Sequence, residues 1–322
     1  MIKDTNIQAF CVDFNWDNIG KFASPGLYNA ADPADHIRFY QDLGVNTIQS
    51  FAVSHNGYAW YPSKIVPTQP GLRMNFLGDL TRLGHEAGMR VFGYFSPGAN
   101  AEWGERNKDE ALSRTHNTYH VPFTDGYLDY LCAAIEESLR MQPVDGLMMD
   151  WLWSVSPSWS PGETALYQQL FGESLPPPEQ RSQELVDEYR IRATYRAWKR
   201  IREAAKSVRP ETILWLSCVD IDDPVMTETP LAREIDWLMN ESPDFSLLEK
   251  VMARKGPDTT AIQCLCGWGD AHQASGFLDK ADAGEIGLYG FAKADVVTTL
   301  PDIAITGNRL NIEAIRDFYR RR

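Results

Sequence analysis

The chain has 322 residues, a formal net charge of −13 and a pI of about 4.9, an acidity that repels phosphate backbones and disfavours non-specific nucleic-acid binding. Hydrophobic residues at 43% and charged residues at 23% are the proportions of a folded protein, and no apolar run reaches the roughly 18 residues needed to span a bilayer. The N-terminal segment lacks the basic-then-apolar pattern of a secretion signal, and five scattered cysteines argue against a disulfide framework, so a soluble cytoplasmic protein is expected.

In chain order, residues 7–13 form the first short apolar run. Asp32-Pro33 then reads as a helix N-cap with proline at the first helical position, and Ile37, Tyr40 and Leu43 follow at helical spacing up to Gly44. Apolar runs at 47–53 and 90–95 flank a helix over 76–87. Thr124 is placed to cap a helix with Leu128, Leu131, Cys132, Ile135 and Leu139 on one face, ahead of the run at 145–151. A longer helix runs from Ser182 to Val208, where Pro210 ends it. Runs at 212–218, 235–240, 260–266 and 285–291 alternate with helices over 245–252, 272–281 and 311–319, whereas 221–234 promises a weak helix at best.

These eight runs are short and apolar on both faces, as parallel strands covered by helices should be. Eight strand–helix units predict an α/β fold, a (β/α)8 TIM barrel forming a single domain over 1–322. A doubly wound dinucleotide fold lacks support, because no Gly-x-Gly-x-x-Gly follows the first run. The chain beyond a minimal barrel gathers at 54–74, 96–123 and 152–181, as enlarged loops after strands 2, 3 and 4. In a barrel such loops lie at the C-terminal face, where active sites occur.

Seven of the ten tryptophans fall at or just past strand ends: Trp16, Trp60, Trp103, Trp151, Trp153, Trp159 and Trp268. Aromatic faces stack on the C–H faces of sugars, so this crowding points to a carbohydrate pocket. Acidic residues follow the same geography. Asp150 ends strand 4 and Glu241 follows strand 6 directly after Asn240, while Asp13 ends strand 1. An acid that terminates an apolar run must be hydrogen-bonded or functional, since burying it unpaired is costly. Asp145 and Asp236 begin their strands and belong to the opposite, structural face. Two carboxyl groups on strand ends two strands apart can flank one glycosidic bond, one acting on the anomeric carbon and the other protonating the leaving oxygen. On that ground Asp150 and Glu241 are the catalytic candidates, with Glu102 and Asp222 as alternatives to Glu241.

The segment His55-Asn-Gly-Tyr-Ala-Trp-Tyr-Pro-Ser63 resembles the His-Asp-Gly-Phe-x-x-Trp-x-Ser segment of glycoside hydrolase family 29, the α-L-fucosidases. Gly88-Met-Arg-Val-Phe-Gly-Tyr94-Phe-Ser96 is similar to that family's third strand. Val144-Asp-Gly-Leu-Met-Met-Asp150 is similar to the strand that ends in its nucleophilic aspartate. The resemblance covers roughly residues 30–155. It implies a retaining glycosidase with Asp150 as nucleophile, and His55 and Trp60 as contacts to sugar hydroxyls. Asn56, Tyr94, Trp103, Trp151, Asn240, Trp268 and Asp13 complete the expected substrate-binding set. Strand 1 departs from the family, because Phe10-Cys-Val-Asp13-Phe-Asn-Trp16 carries no histidine.

No metal or cofactor is expected. Cys264 and Cys266 alternate on a strand and point to opposite faces, His116 and His120 lack a helical context, and no phosphate-binding loop is present. The expected partner is a carbohydrate substrate, small or oligosaccharide, without nucleic acid or membrane. Two other readings of the same barrel are a metal-dependent sugar isomerase or aldolase, and a sugar-binding barrel without catalysis.

Overall fold

The computed structural model describes residues 6–17, 20–115, 117–218, 220–242, 244–265, 275–302 and 308–321. Along them run β1 (Gln8–Asp13), α1 (Pro33–Leu43), β2 (Thr47–Phe51), α2 (Phe76–Glu86), β3 (Arg90–Phe95), α3 (Ala101–Arg106), β4 (Arg114–Thr115), β5 (Thr118–Tyr119) and α4 (Asp125–Met141). Then follow β6 (Gly146–Met149), α5 (Pro161–Phe171), α6 (Gln183–Val208), β7 (Ile213–Cys218), α7 (Pro224–Glu228), α8 (Leu231–Glu234) and β8 (Trp237–Asn240). The last elements are α9 (Phe245–Arg254), β9 (Thr260–Cys264), α10 (Ser275–Asp282), β10 (Gly287–Lys293) and α11 (Asn308–Tyr319).

All strands except β4 and β5 are parallel and close into one barrel, each beside its neighbour in sequence, with β10 returning to β1. This is the (β/α)8 barrel that the eight apolar runs predicted. The runs at 145–151 and 235–240 narrow to Gly146–Met149 and Trp237–Asn240, although the backbones of Asp145, Asp150 and Asp236 still bond the neighbouring strands.

Local chemistry sets the helix ends. The Asp32 side chain accepts from Ala34 N–H, Pro33 starts α1, and Gly44 closes it with φ 83°. Only a residue without Cβ enters that left-handed region without strain. Ser182 accepts from Leu185 N–H at the start of α6. Thr124 holds the N-cap position of α4 but makes no capping bond; its hydroxyl turns to Glu110 instead. The large loops hold structure that periodicity did not reveal: α3, the β4–β5 hairpin, and α5, whose Ser160–Glu163 capping box was legible as Ser-Pro-Gly-Glu. Residues 221–234 fold as the two short helices α7 and α8.

The bottom of the barrel is plugged by aromatic rings. Phe92 packs against Trp215 at 5.5 Å and Trp237 at 4.7 Å, and all three are buried. Asp145 and Asp236 brace this end. The Asp145 carboxyl accepts from Val91 N–H of the neighbouring strand and meets His85 Nε2 at 2.9 Å. Asp236 repeats the device two strands away, accepting from Leu214 N–H at 2.8 Å and from the Lys206 ammonium at 2.9 Å. Asp236→Ala removes the acceptor of Leu214 N–H and leaves Lys206 with the Thr212 carbonyl, and about 1–2 kcal/mol of unfolding free energy should be lost in urea titrations. Ligand binding at the far end of the barrel should be unchanged.

Candidate active site

The C-terminal ends of the strands open on a cavity of about 630 Å³, within the usual range for a small-molecule site. The strand pleat explains its lining. Residues two apart face the same side, so Cys11 and Asp13, Gln49 and Phe51, Met148 and Asp150, and Met239 and Glu241 all turn towards it. Apolar or weakly polar side chains make the floor, and carboxyl groups sit at the rim of that floor.

Asp150 is held through both oxygens. Tyr94 donates its hydroxyl proton to Oδ2 at 2.7 Å, and the Trp151 N–H donates to Oδ1 at 2.9 Å. Such an acceptor-only arrangement suits a carboxylate. Among the described residues, Glu241 accepts one side-chain bond, from Ser217 Oγ at 2.6 Å. Burial foremost, and then the nearby charge of Asp150, pushes its carboxyl well above the usual range. Asp13 accepts from Asn15 N–H at 2.7 Å, and burial foremost raises it to about 7, with Asp150 adding to the shift. The cavity therefore holds two carboxyl groups that keep protons near neutrality beside a third that is doubly hydrogen-bonded.

Aromatic side chains wall the site. Trp151 adopts φ 51°, a backbone region that non-glycine residues rarely enter. This turn aims its indole between neighbours, edge-on to the His55 ring at 4.7 Å and stacked near Trp153 at 5.1 Å. Gly98 makes the turn possible from the other side: its N–H donates to Trp151 O at 2.8 Å, and a Cβ there would sit 2.3 Å from that oxygen.

Of the residues expected from the sequence, Asp13, His55, Tyr94, Asp150, Trp151 and Glu241 come together around this cavity. Others do not. Trp60 is buried below the loop, stacked on Phe14 at 4.6 Å with its N–H on Ser54 Oγ, so it serves packing rather than sugar contact. Trp103 is likewise buried, against Tyr127. Asn56 turns away to Gln69 and lines, with Glu102, a second cleft that meets the first at His55. Asn240 is fully enclosed and bonds Gln263 at 2.8 Å and Ser242 O at 3.0 Å, so it shapes the loop that carries Glu241. Asp222 is tied to Lys250 and Arg254 outside the cavity, whereas Asp220 and Asp223 line it. Trp268 lies outside the described residues. The sequence reading passed over Gln49, Ser217 and Tyr289; the first two carried a signal, being polar positions inside otherwise apolar runs. Tyr289 donates to Gln49 Oε1 at 2.8 Å and ties the floor together.

Residues 32–151 match a family model described as Hypothetical glycosyl hydrolase 6, almost the same stretch that carries the family 29 resemblance. The barrel resembles those of glycoside hydrolases in fold. α-L-Fucosidase isoenzyme 2 from Paenibacillus thiaminolyticus superposes with a TM-score of 0.73 at 16% identity, covering 98% of this chain and 49% of its own. The chain thus spans about half the length of that enzyme. The PgaB (BpsB) glycoside hydrolase domain from Bordetella bronchiseptica gives 0.63 at 16% identity, covering 98% of each chain. A family 29 α-L-fucosidase from Bacteroides thetaiotaomicron gives 0.55 at 13% identity, covering 99% of this chain and 72% of its own. At these identities the likeness is one of fold. No curated protein matches the chain.

The raised Asp13 carboxyl has a thermodynamic consequence. Its folded-state value of about 7 exceeds the ordinary 3.8, so the native state holds a proton that the unfolded chain gives up. Stability is therefore lost as pH rises from about 4 through about 7. Asp13→Asn keeps an acceptor for Asn15 N–H and removes this cost. Denaturant titrations across that window should find the variant increasingly more stable than wild type as pH rises. A difference that stays constant with pH would place the raised titration on another group.

Proposed function

We propose that the protein is a retaining glycosidase in which Asp150 is the nucleophile and Glu241 the acid/base. The pairing of two carboxyl groups with opposed environments in one cavity carries this reading: Asp150 doubly hydrogen-bonded, Glu241 buried and proton-retaining. In the first step an Asp150 oxygen bonds to the anomeric carbon as the glycosidic C–O bond breaks, and Glu241 gives its proton to the departing oxygen. In the second, Glu241 takes a proton from water, whose oxygen displaces Asp150 from the same carbon. Trp16, Trp151 and Trp153 supply apolar faces for the sugar ring. Within this class α-L-fucosides are the first substrates to try, supported by the family 29 resemblance and the fold neighbours.

The test is a panel of aryl glycosides of fucose, galactose, glucose, xylose and arabinose in both anomers, with the product anomer read by NMR. Retention in the first turnover is expected; an inverted product would make the pair an inverting one. Asp150→Asn should cost about three orders of magnitude or more in turnover. A variant keeping over about a tenth of wild-type activity would remove Asp150 from the nucleophile role.

Glu241 must be protonated for the first step, so wild-type activity should fall on the alkaline side as this group loses its proton. Glu241→Gln should abolish turnover of substrates with poor leaving groups yet still release phenol quickly from activated aryl glycosides. The glycosyl-enzyme then accumulates for want of a base, and azide should restore its breakdown. Equal losses on both substrate types without azide rescue would pass the role to Asp13, Asp220 or Asp223, which also line the cavity.

A further inference from the structure

His55 sits in the motif whose family resemblance implies a sugar contact, yet both its ring nitrogens are engaged within the protein. Nε2 lies 2.7 Å from the Tyr94 hydroxyl, and Nδ1 lies 3.1 Å from Ser96 Oγ. Its backbone is pinned as well: the N–H donates to Asn15 Oδ1, and the carbonyl accepts from Ala101 N–H and from the Thr118 hydroxyl. Phe22 stacks on the ring at 4.6 Å while Trp151 meets it edge-on, so the imidazole has one orientation.

Counting protons fixes the direction of the chain. Tyr94 has one hydroxyl proton, and Asp150 Oδ2 accepts it at 2.7 Å. Burial pushes the Tyr94 hydroxyl well above its ordinary range, which keeps that proton in place. The Tyr94 oxygen is then an acceptor towards His55, so Nε2 must carry hydrogen, while Ser96 Oγ faces Nδ1. The order is His55 to Tyr94 to Asp150.

We propose that His55 and Tyr94 are positioning residues for Asp150: His55, in its Nε2–H tautomer, orients the Tyr94 hydroxyl, and Tyr94 holds Asp150 Oδ2 at the angle needed for attack. His55 acts through Tyr94 and makes no bond to the sugar. The inference rests on the nucleophile role of Asp150 proposed above. With Oδ1 tied to the Trp151 N–H, the Tyr94 bond stops rotation of the carboxyl group, and orientation of the attacking atom is a large part of catalytic rate.

The test is a double-mutant cycle of His55→Ala and Tyr94→Phe on the best aryl glycoside, with thermal melts to confirm folding. Each single variant should lose about tenfold to a hundredfold in kcat, the consequence of one missing link in the chain that orients the half-buried Asp150, with KM little changed. Because His55 Nε2 bonds Tyr94 and lies 3.8 Å from Asp150 Oδ2, beyond hydrogen-bond reach, the double variant should be no slower than Tyr94→Phe alone. His55→Gln, whose amide N–H reaches about where Nε2 does, should recover part of the loss. A raised KM with kcat intact, or losses that multiply in the double variant, would return His55 to direct sugar contact and overturn the proposal. Nitrogen-15 NMR of the imidazole gives a readout that needs no turnover. It should report the Nε2–H tautomer in wild type and a changed Nε2 environment in Tyr94→Phe, and an Nδ1–H tautomer would overturn the proposal whatever the kinetics. Asp150→Asn separates the two levels: if it retains activity, the nucleophile reading fails, while the NMR result still judges the hydrogen-bonded chain.

Discussion

The structure depends on how an apolar barrel tolerates three carboxyl groups at its mouth. Asp13, Asp150 and Glu241 face one cavity, and an ionised carboxylate away from water is costly unless it is hydrogen-bonded. The protein meets that cost unequally. Among the described residues, Asp150 receives two donors, Asp13 a backbone N–H and Glu241 a hydroxyl. Burial and mutual repulsion then make protonation of Asp13 and Glu241 the cheaper state. Distinct proton affinities within one cavity are what acid/base chemistry at neutral pH requires.

The donors explain why barrel closure comes first. Tyr94 reaches Asp150 from β3 to the end of β6, and Ser217 reaches Glu241 from β7 to the end of β8. Each pair spans adjacent strands, so the ladder register aligns donor with acid. The same ladder serves the opposite end, where Asp145 and Asp236 cap N–H groups of the preceding strand and the rings of Phe92, Trp215 and Trp237 fill the interior. One end of the barrel is thereby sealed for stability, while the other stays open and carries charge.

The barrel itself was legible because strands buried on both faces leave continuous apolar runs, and eight of them alternating with 3.6-residue periods allow few architectures. Asp150 and Glu241 were legible for a related reason: an acid ending an apolar run stands out. Position at a strand end gives height along the barrel and says nothing of a loop's path. Trp60 and Trp103 share the right height and are nevertheless turned into packing, against Phe14 and Tyr127. Asn56 follows its loop into a second cleft, and Asn240 is spent on closing the turn around Glu241.

Sequence by itself therefore determined the fold class and the end of the barrel at which Asp150 and Glu241 stand, because both follow from the spacing of apolar and charged residues along the chain. Tertiary structure decided which groups those acids meet. The His55–Tyr94–Asp150 chain joins residues 39 and 56 positions apart, and its direction follows from a proton count that only the assembled contacts allow. Proton affinity is likewise set by burial and by charges brought near through space, neither of which has a period in the sequence.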